Sequence, residues 1–462
     1  MFLYSNSCQG GSMTSRFWPA IRLLMLVVCL GCSIASAQQE RAPGGRPATE
    51  IPSITTIPLE AQPSDHFDVE AATNAYLAKM PADARARSDA YFEGGYWLTL
   101  WDFLYGIVIV LLLLNLRWSA AMRNFAERVT RFKPVHTIVY WSQFLVLTSI
   151  MSFPLDVYEG FFREHKYGLA TQTFGPWMGD VLKLLLVNLV LGGIILTLLI
   201  GVVRRLPRTW WIWGSVVTIL FFAFVSLIAP VYLVPIFNKV TLLDDARITQ
   251  PIMSLARANG IPAKGVFQMD ASRQTTRMSA NVSGFAKTMR ITLNDNLLRR
   301  GSVEEIQSVM GHEMGHYVLN HAYKGITFNF IVVVTAFAFL RWALERSLKR
   351  WGEKWQIRGI GDTAVLPLVV LLVSSFVFVL TPVLNTFIRT QEIEADMYGL
   401  NASRQPDGFA QAAIHLGEYR KMSPGPLEEW IFFDHPSGQN RIRAAMRWKA
   451  ENLKLFTAQP NP

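Results

Sequence analysis

The sequence has little cysteine and little charge. Its 462 residues include three cysteines, Cys8, Cys29 and Cys32, which all lie within or before the first apolar run. This distribution excludes a disulfide framework and a cysteine metal site from the rest of the chain, so any metal there must be held by His, Glu or Asp. Only 17% of the residues are charged, whereas 51% are hydrophobic. That balance excludes an ordinary soluble enzyme.

The hydrophobic residues come in long blocks. Each block is close to the ~20 residues that a helix needs to cross a bilayer, and Trp residues gather at the block ends, as they do at membrane interfaces. The main blocks are residues 97–116, 135–153, 182–203, 210–234, 326–345 and 364–388. We therefore predict a polytopic membrane protein.

The formal net charge of +10 would suggest nucleic-acid binding in a soluble protein. Here the basic residues cluster at the ends of apolar blocks, in 117–133, 204–208 and 346–358. Such clusters are typical of cytoplasmic loops, so we expect the lipid bilayer, and no nucleic acid, as a partner. The long stretch between the fourth and fifth blocks would then face the outside, which for a bacterial inner membrane is the periplasm.

The N-terminal residues 1–37 have the features of a secretory signal. Arg16 and Arg22 precede or flank the apolar core Leu23–Leu30, and Ala35-Ser36-Ala37 forms a small-residue cleavage site. The alternative is that this segment stays uncleaved as a first membrane span.

The strongest motif is the run from His312 to His316, an H-E-x-x-H sequence. Ser302 and Glu305 predict a helix N-terminus just before it. Residues four apart share a helix face, so the two imidazoles can bind one Zn²⁺ while Glu313 faces its bound water. Such a metal lowers the pKa of bound water to about 7, and Glu313 is the expected general base. We estimate the probability of a chance motif at about one in a hundred.

A third ligand is needed, and acidic residues follow the last apolar block. Glu392 and Asp396 share a helix face, so Glu392 can bind the metal while Asp396 accepts the other N–H of a ligating His. Glu394 is the rival carboxylate, and it lies about 200° around the helix from Glu392, so both cannot face the metal. A solvated acidic patch is the remaining alternative.

Three further histidines require an interpretation. His435, in Asp434-His435-Pro436, is either an oxyanion or substrate contact or part of a turn before a C-terminal helix. We interpret His321 and His415 as ordinary surface or core residues.

The parts outside the apolar blocks have distinct patterns. Alternating segments at 265–269 and 289–292 predict a small antiparallel sheet that leads into the motif helix, and prolines break the last part of the chain into short helices. The predicted division is 1–37 for a signal peptide or first span, 38–96 for a polar extramembrane lead-in, 97–238 for four membrane helices, 239–325 for an extramembrane part with the motif, 326–388 for two membrane helices, and 389–462 for a helical part with the third ligand.

These residues resemble the type I CAAX prenyl endopeptidase family of membrane zinc proteases, and more distantly the HtpX quality-control proteases. The resemblance runs from about residue 70 to 450. It rests on segments 154–169 and 235–239, on the H-E-x-x-H run, on Glu392-x-x-Ala395-Asp396, and on Asp434-His435-Pro436 with Arg441.

The resemblance implies a mainly α fold, in which a ring of membrane helices encloses a water-filled chamber and a small α+β, gluzincin-like part carries one Zn²⁺. It implies that Glu392 is the third zinc ligand and that Asp396, His435 and Arg441 line the active site, where Asp396 and His435 are expected to be catalytic and Arg441 to bind the substrate. The family's ring has seven helices, so cleavage of the N-terminal segment would leave six spans and an incomplete ring.

The resemblance also implies that a strand at Ser279, Ala280 and Asn281 holds the substrate by edge pairing. Ser279 replaces an Asn that the family has in this strand, which leaves the substrate geometry open.

We predict from these observations a zinc metalloendopeptidase that acts on peptide or protein substrates without a covalent intermediate. Whether the substrates are membrane-associated or lipidated is left open. One alternative is a quality-control protease of the HtpX type, which shares this chemistry. The other is a channel or transporter with structural zinc, which a closed four-ligand site would favour, whereas an open coordination position favours the enzyme.

Overall fold

The structure is a computed structural model that describes residues 56–283 and 289–457. The predicted signal peptide or first span, residues 1–37, lies outside these residues. The first part of the described chain is helical, and its helices are α1 (Val69–Ala78), α2 (Ala82–Asn115), α3 (Trp118–Val129), α4 (Lys133–Lys166), α5 (Phe174–Arg205) and α6 (Trp210–Phe237).

A small mixed α/β region follows, and helices resume after it. The region consists of β1 (Val240–Leu242), α7 (Ala246–Ala258), β2 (Val266–Met269), β3 (Ala280–Ser283), β4 (Arg290–Asn294), α8 (Asp295–Arg300) and α9 (Val303–Val318). The remaining helices are α10 (His321–Trp351), α11 (Leu366–Ser403), α12 (Pro406–Leu416), α13 (Pro426–Phe432), α14 (Gly438–Glu451) and α15 (Lys454–Thr457).

Six of the described helices, α2, α4, α5, α6, α10 and α11, are long and apolar enough to cross a membrane. They pack in a cyclic order, in which α2 contacts α11, α11 contacts α10, and the sequence continues through α6, α5 and α4 back to α2. The Tyr105 hydroxyl of α2 donates to the Met151 carbonyl of α4 at 2.8 Å. These six described helices therefore form a closed ring of pairwise contacts.

The three basic loops meet at one end of this ring. Arg204 Nε donates to the Gly361 carbonyl at 2.9 Å, and Arg117 Nε donates to the Lys354 carbonyl at 3.1 Å. Arg123 forms a buried 2.5 Å ion pair with Asp362. The loops that the charge pattern assigns to the cytoplasm thus lie on one side of the ring.

The sheet lies towards the other end of the ring, and its strand order is β1-β2-β4-β3. The prediction of an antiparallel sheet is wrong for its central pair, because β2 and β4 are parallel, with Val266 opposite Ile291. The long connection between them lets the chain return in the same direction. Within it, β3 pairs antiparallel to the far side of β4 and forms the end of the sheet.

The motif helix α9 packs on this sheet. Ile306, Met310 and Met314 of α9 share a buried apolar core with Ile291 and Leu293 of β4. A capping box starts the helix, since the Ser302 side chain accepts from the Glu305 amide and the Glu305 carboxylate accepts from the Ser302 amide. The sequence signals for this helix are confirmed.

Helix α11 belongs both to the ring and to the catalytic region. The hydropathy pattern ends near residue 388, but the helix continues without interruption to Ser403. Its last turns are buried at Glu392, Ala395, Asp396 and Gly399, where it packs against α9. Glu392 and Asp396, two of the polar residues that follow the apolar block, therefore face protein rather than solvent.

Candidate active site

Glycine allows α9 and α11 to cross with their backbones in contact. A Cβ added at Gly399 would lie 2.7 Å from the His312 backbone nitrogen, and one at Gly311 would lie 2.9 Å from the Gly399 carbonyl oxygen. Real Cβ atoms do not approach so closely, so both positions require glycine at this helix separation. The crossing brings the acidic face of α11 against the histidine face of α9.

Three side chains converge at this crossing. The donor atoms of His312, His316 and Glu392 all lie within 4.8 Å of one another, and all three residues are buried. The two imidazole Nε2 atoms are 3.1 Å apart. The Glu392 carboxylate lies 3.2 Å from His312 Nε2 and 3.4 Å from His316 Nε2.

The outer nitrogen of His312 is held by Asp396. His312 Nδ1 and Asp396 Oδ1 are 2.7 Å apart, and because a carboxylate only accepts, Nδ1 carries the proton and Nε2 keeps its lone pair for a ligand. Arg441 in turn donates to both oxygens of Asp396, at 2.9 and 2.5 Å. Arg441, which the sequence analysis assigned to substrate binding, thus supports the carboxylate behind His312.

The outer nitrogen of His316 contacts a residue that the sequence analysis missed. His316 Nδ1 lies 2.9 Å from His321 Nδ1, and His321 Nε2 lies 2.9 Å from Glu394. Asn320 has a left-handed backbone with φ 58°, which turns the chain between α9 and α10 just before His321. Glu394, the rival ligand, therefore bonds to His321, whereas Glu392 faces the donor cluster.

His435 lies beside Glu392. Its Nε2 is 3.2 Å from a Glu392 oxygen, and its Nδ1 is 2.7 Å from Asp434. Although burial opposes it, the adjacent His435 lowers the pKa of Asp434 below its usual value. Arg389 of α11 donates to the Glu429 and Phe433 carbonyls at 2.9 and 2.5 Å, which holds the loop before His435 against α11.

The remaining candidates lie close by. Glu313 is buried, with 2% of its surface exposed, one residue after His312. Ser279 precedes the end strand β3, and Ala280 and Asn281 lie within it, opposite Leu293 and Thr292 of β4. His415, by contrast, lies 3.0 Å from Glu305 in the capping box of α9, which is a structural contact.

The two histidines of the motif differ in proton affinity in the metal-free protein. Burial disfavours a charge on His312, but its hydrogen bond to Asp396 and the nearby negative charge of Glu392 outweigh burial and raise its pKa to about 10. Burial lowers the pKa of His316 to about 3.

The donor set fits a divalent cation. Both oxygens of Glu392 are buried and lack a hydrogen-bond partner among the described residues, and buried carboxylates require compensation. Two imidazole nitrogens and one carboxylate form a ligand set that catalytic Zn²⁺ sites use.

Comparison with known proteins identifies two matching family models. The model of peptidase family M48 matches residues 242–449, and the model of the CAAX prenyl protease N-terminal region, with five membrane helices, matches residues 70–239. Together they span both the ring and the catalytic region.

Individual relatives agree with the family models. The chain is 27% identical to the uncharacterized metalloprotease YhfN of Bacillus subtilis over 71% of this chain and 77% of that protein. It is 28% identical to CAAX prenyl protease 1 of Saccharomyces cerevisiae over 68% of this chain and 74% of that protein. The crystal structure of S. mikatae Ste24p has the same fold, with a TM-score of 0.68 and 22% identity over 80% of this chain and 89% of that one.

These matches confirm the resemblance, the mainly α fold with a membrane helix ring and chamber, and the enzyme class that the sequence predicts. The chain therefore belongs to the CAAX prenyl protease family and is a multi-pass membrane metalloprotease of peptidase family M48.

Proposed function

We propose that the metal of this protease is one Zn²⁺ held by His312, His316 and Glu392. The observation that carries the proposal is the convergence of these three buried donors, with both Nε2 atoms directed towards the same carboxylate. The donor types are those of His₂Glu zinc enzymes. Bound there, Zn²⁺ would polarise water and the substrate carbonyl.

Glu313 is the proposed general base. Its carboxylate takes a proton from the attacking water and returns that proton to the leaving amine, so that the peptide C–N bond breaks as a C–O bond forms. Its burial at 2% exposure keeps bulk water from competing for the proton. No covalent bond between enzyme and substrate is needed.

Four further residues complete the proposed chemistry. His435 donates from Nε2 to the carbonyl oxygen that becomes negative during attack, and Asp434 on its Nδ1 stabilises the positive imidazole that such donation requires. Asp396 fixes the tautomer of His312 and is itself neutralised by Arg441.

We propose that substrates are peptides or proteins in or near the membrane, bound along the end strand β3 by edge pairing. Residues Ser279, Ala280 and Asn281 would form this edge. The similarity to proteins named CAAX prenyl proteases makes lipidated peptides the first class to test. A quality-control role of the HtpX type would instead require cleavage of unmodified membrane proteins.

The location we propose is a bacterial inner membrane with the catalytic region on the periplasmic side. Support comes from the three basic loops at the opposite end of the ring, since such loops face the cytoplasm. We likewise propose that residues 97–238 and 326–388 contain the membrane helices. The helices α2 and α11 continue beyond these boundaries.

The experiment is metal analysis of purified protein combined with a peptide-cleavage assay. We expect about one zinc per chain, cleavage that stops when a chelator removes the metal, and recovery on adding Zn²⁺. A farnesylated peptide and its unmodified counterpart, compared in the same assay, distinguish the two substrate classes. Stoichiometric zinc without cleavage of either class would contradict the proposal and favour a structural zinc in a channel or transporter.

A further inference from the structure

Behind His316, a chain of hydrogen bonds leads from the metal donors to the protein surface. His316 Nδ1 contacts His321 Nδ1 at 2.9 Å, and His321 Nε2 contacts Glu394 at 2.9 Å. Lys324 donates to the same Glu394 oxygen at 2.5 Å. His321 is fully buried, whereas the side chains of Glu394 and Lys324 are 42% and 45% exposed.

The carboxylate at the end of this chain sets the direction of its hydrogen bonds. Glu394 only accepts, so His321 donates from Nε2. A neutral His321 then has its lone pair on Nδ1, and His316 must donate to it from its own Nδ1. This direction leaves the lone pair of His316 on Nε2, the atom that faces Glu392 and His312.

The opposite direction would disable His316 as a ligand. If His321 donated to His316 Nδ1, the proton of neutral His316 would sit on Nε2, and a protonated nitrogen cannot bind a metal. Two nitrogens 2.9 Å apart share one proton, so the state of His321 decides which nitrogen of His316 is available. Glu394 favours the productive arrangement by occupying the other side of His321.

We propose that His321 and Glu394 are positioning residues for the metal, in that they fix the tautomer and ring orientation of His316 as Asp396 does for His312. The inference rests on the proposed zinc site and adds two residues to it. The H-E-x-x-H helix would then have a separate supporting chain behind each of its histidines. One runs from Asp396 of α11 to Arg441 of α14, and the other joins the start of α10 to α11.

The test compares substitutions at His321 that differ in hydrogen bonding. His321→Leu removes the acceptor for His316 Nδ1, whereas the side-chain oxygen of His321→Asn can accept in place of the imidazole nitrogen. Outer partners of metal-ligating histidines affect metal affinity by 10- to 100-fold when removed. We expect zinc to bind roughly tenfold or more weakly to His321→Leu, and His321→Asn to recover most of the loss.

Zinc affinity is measured by competition with a chromophoric chelator, and Co²⁺ substitution gives an absorption spectrum that reports the ligand geometry independently of activity. Lys324→Met is the matched control, because it removes the exposed partner of Glu394 while leaving the His316–His321–Glu394 contacts; its zinc affinity should match the parent. Glu394→Leu, at a half-exposed side chain, removes the acceptor for His321 Nε2, so it tests the same chain should His321→Leu fail to fold, and it should weaken zinc binding.

The outcomes separate this inference from the proposed function. Zinc binding of His321→Leu or of folded Glu394→Leu at the parent affinity, with an unchanged Co²⁺ spectrum, would overturn the positioning role while leaving the zinc site intact. A parent protein without zinc would overturn the proposed function first. Equal weakening in His321→Leu and His321→Asn would also count against the role, because it would point to packing rather than to hydrogen bonding.

Discussion

The Nε2 atoms of His312 and His316 lie 3.1 Å apart in the interior of the protein. Asp396 contacts the Nδ1 of one ring and His321 the Nδ1 of the other, so both Nε2 atoms are directed towards Glu392. Two lone pairs and a carboxylate at this distance require a positive charge between them. The geometry of the donor set thus already specifies that the bound ion is positive.

Replacing Glu313 by Gln should separate metal binding from catalysis. The amide is nearly isosteric but cannot take a proton, and a general base contributes about 10²- to 10⁴-fold to the rate. We expect zinc content equal to the parent and a fall of that order in kcat. Glu304→Gln, in the first turn of the same helix, is the control and should retain activity. Full activity of Glu313→Gln would exclude Glu313 as the base.

Metal removal should destabilise the protein. A ligand that binds only the folded state stabilises it by about 4 kcal/mol when present at 1,000 times its dissociation constant. We expect chelator treatment to lower the Tm of the purified protein in detergent and Zn²⁺ to restore it. The His316→Ala variant should show a low Tm that does not respond to chelator, and a response equal to the parent would mean that the metal lies elsewhere.

Removing the charge of Arg441 should cost both stability and metal. Asp396 is 3% exposed, and loss of its partner leaves a buried carboxylate uncompensated, which typically costs about 3 to 5 kcal/mol. We expect Arg441→Met to lower the midpoint of denaturant unfolding and to weaken zinc binding through His312. Arg443→Met is a suitable control, because Arg443 pairs with Glu70 at the exposed surface. Equal stability of the two variants would contradict the buried-pair interpretation.

Zinc affinity should rise with pH. The pKa of His312 is raised to about 10 in the metal-free protein, so at neutral pH the metal must displace a proton from this ring, whereas His316, with a pKa lowered to about 3, is already neutral. Protons therefore compete with metal, and the dissociation constant should fall about tenfold per pH unit between pH 6 and 8.

The measurement is chelator competition over this pH range, corrected for the pH dependence of the chelator. Asp396→Asn removes a hydrogen bond that raises the pKa of His312, so it should flatten the profile. A parent profile without slope would show that His312 is neutral before metal arrives.

A methyl group at Gly399 should push α11 away from α9. The added Cβ would meet the His312 backbone at 2.7 Å, and backbone cannot move aside as a flexible side chain can. Overpacking of this kind costs about 1 to 3 kcal/mol. We expect Gly399→Ala to lower the Tm and to weaken zinc binding, because Glu392 lies on the displaced helix.

The matched control for this prediction is Gly201→Ala in the ring helix α5. No atom lies within 4 Å of the Cβ that this substitution adds, so alanine should be neutral or slightly stabilising there. If both glycine variants behave alike, the close crossing is not what sets the position of Glu392.

The parts of the fold that depend on local pattern were predictable. Six apolar blocks predicted six long helices, and the capping box predicted the start of α9. The ends of the helices were not predictable, because residues outside the apolar blocks also find packing partners. Tyr91, for example, belongs to α2 but precedes the predicted apolar block. It is buried against the Arg163 side chain, a contact that no local pattern reveals.

The contacts between distant segments also limited what the sequence could predict about the active site. Glu392 and Glu394 have similar local sequence surroundings, and only the packing of α11 on α9 decides which of them faces the histidines. His321 was missed because its contact with His316 depends on the turn at Asn320, which no local pattern predicts. The parallel pairing of β2 with β4 was missed because the intervening β3 sits on the far side of the sheet.

The unbroken course of α11 has a practical consequence. One end of this helix is immersed in lipid, and the other supplies both Glu392 and Asp396. A truncation that separates the catalytic part from the bilayer must therefore interrupt the helix that positions these two carboxylates. Attempts to produce a water-soluble fragment for crystallisation or screening should yield protein that has lost its metal along with its anchor.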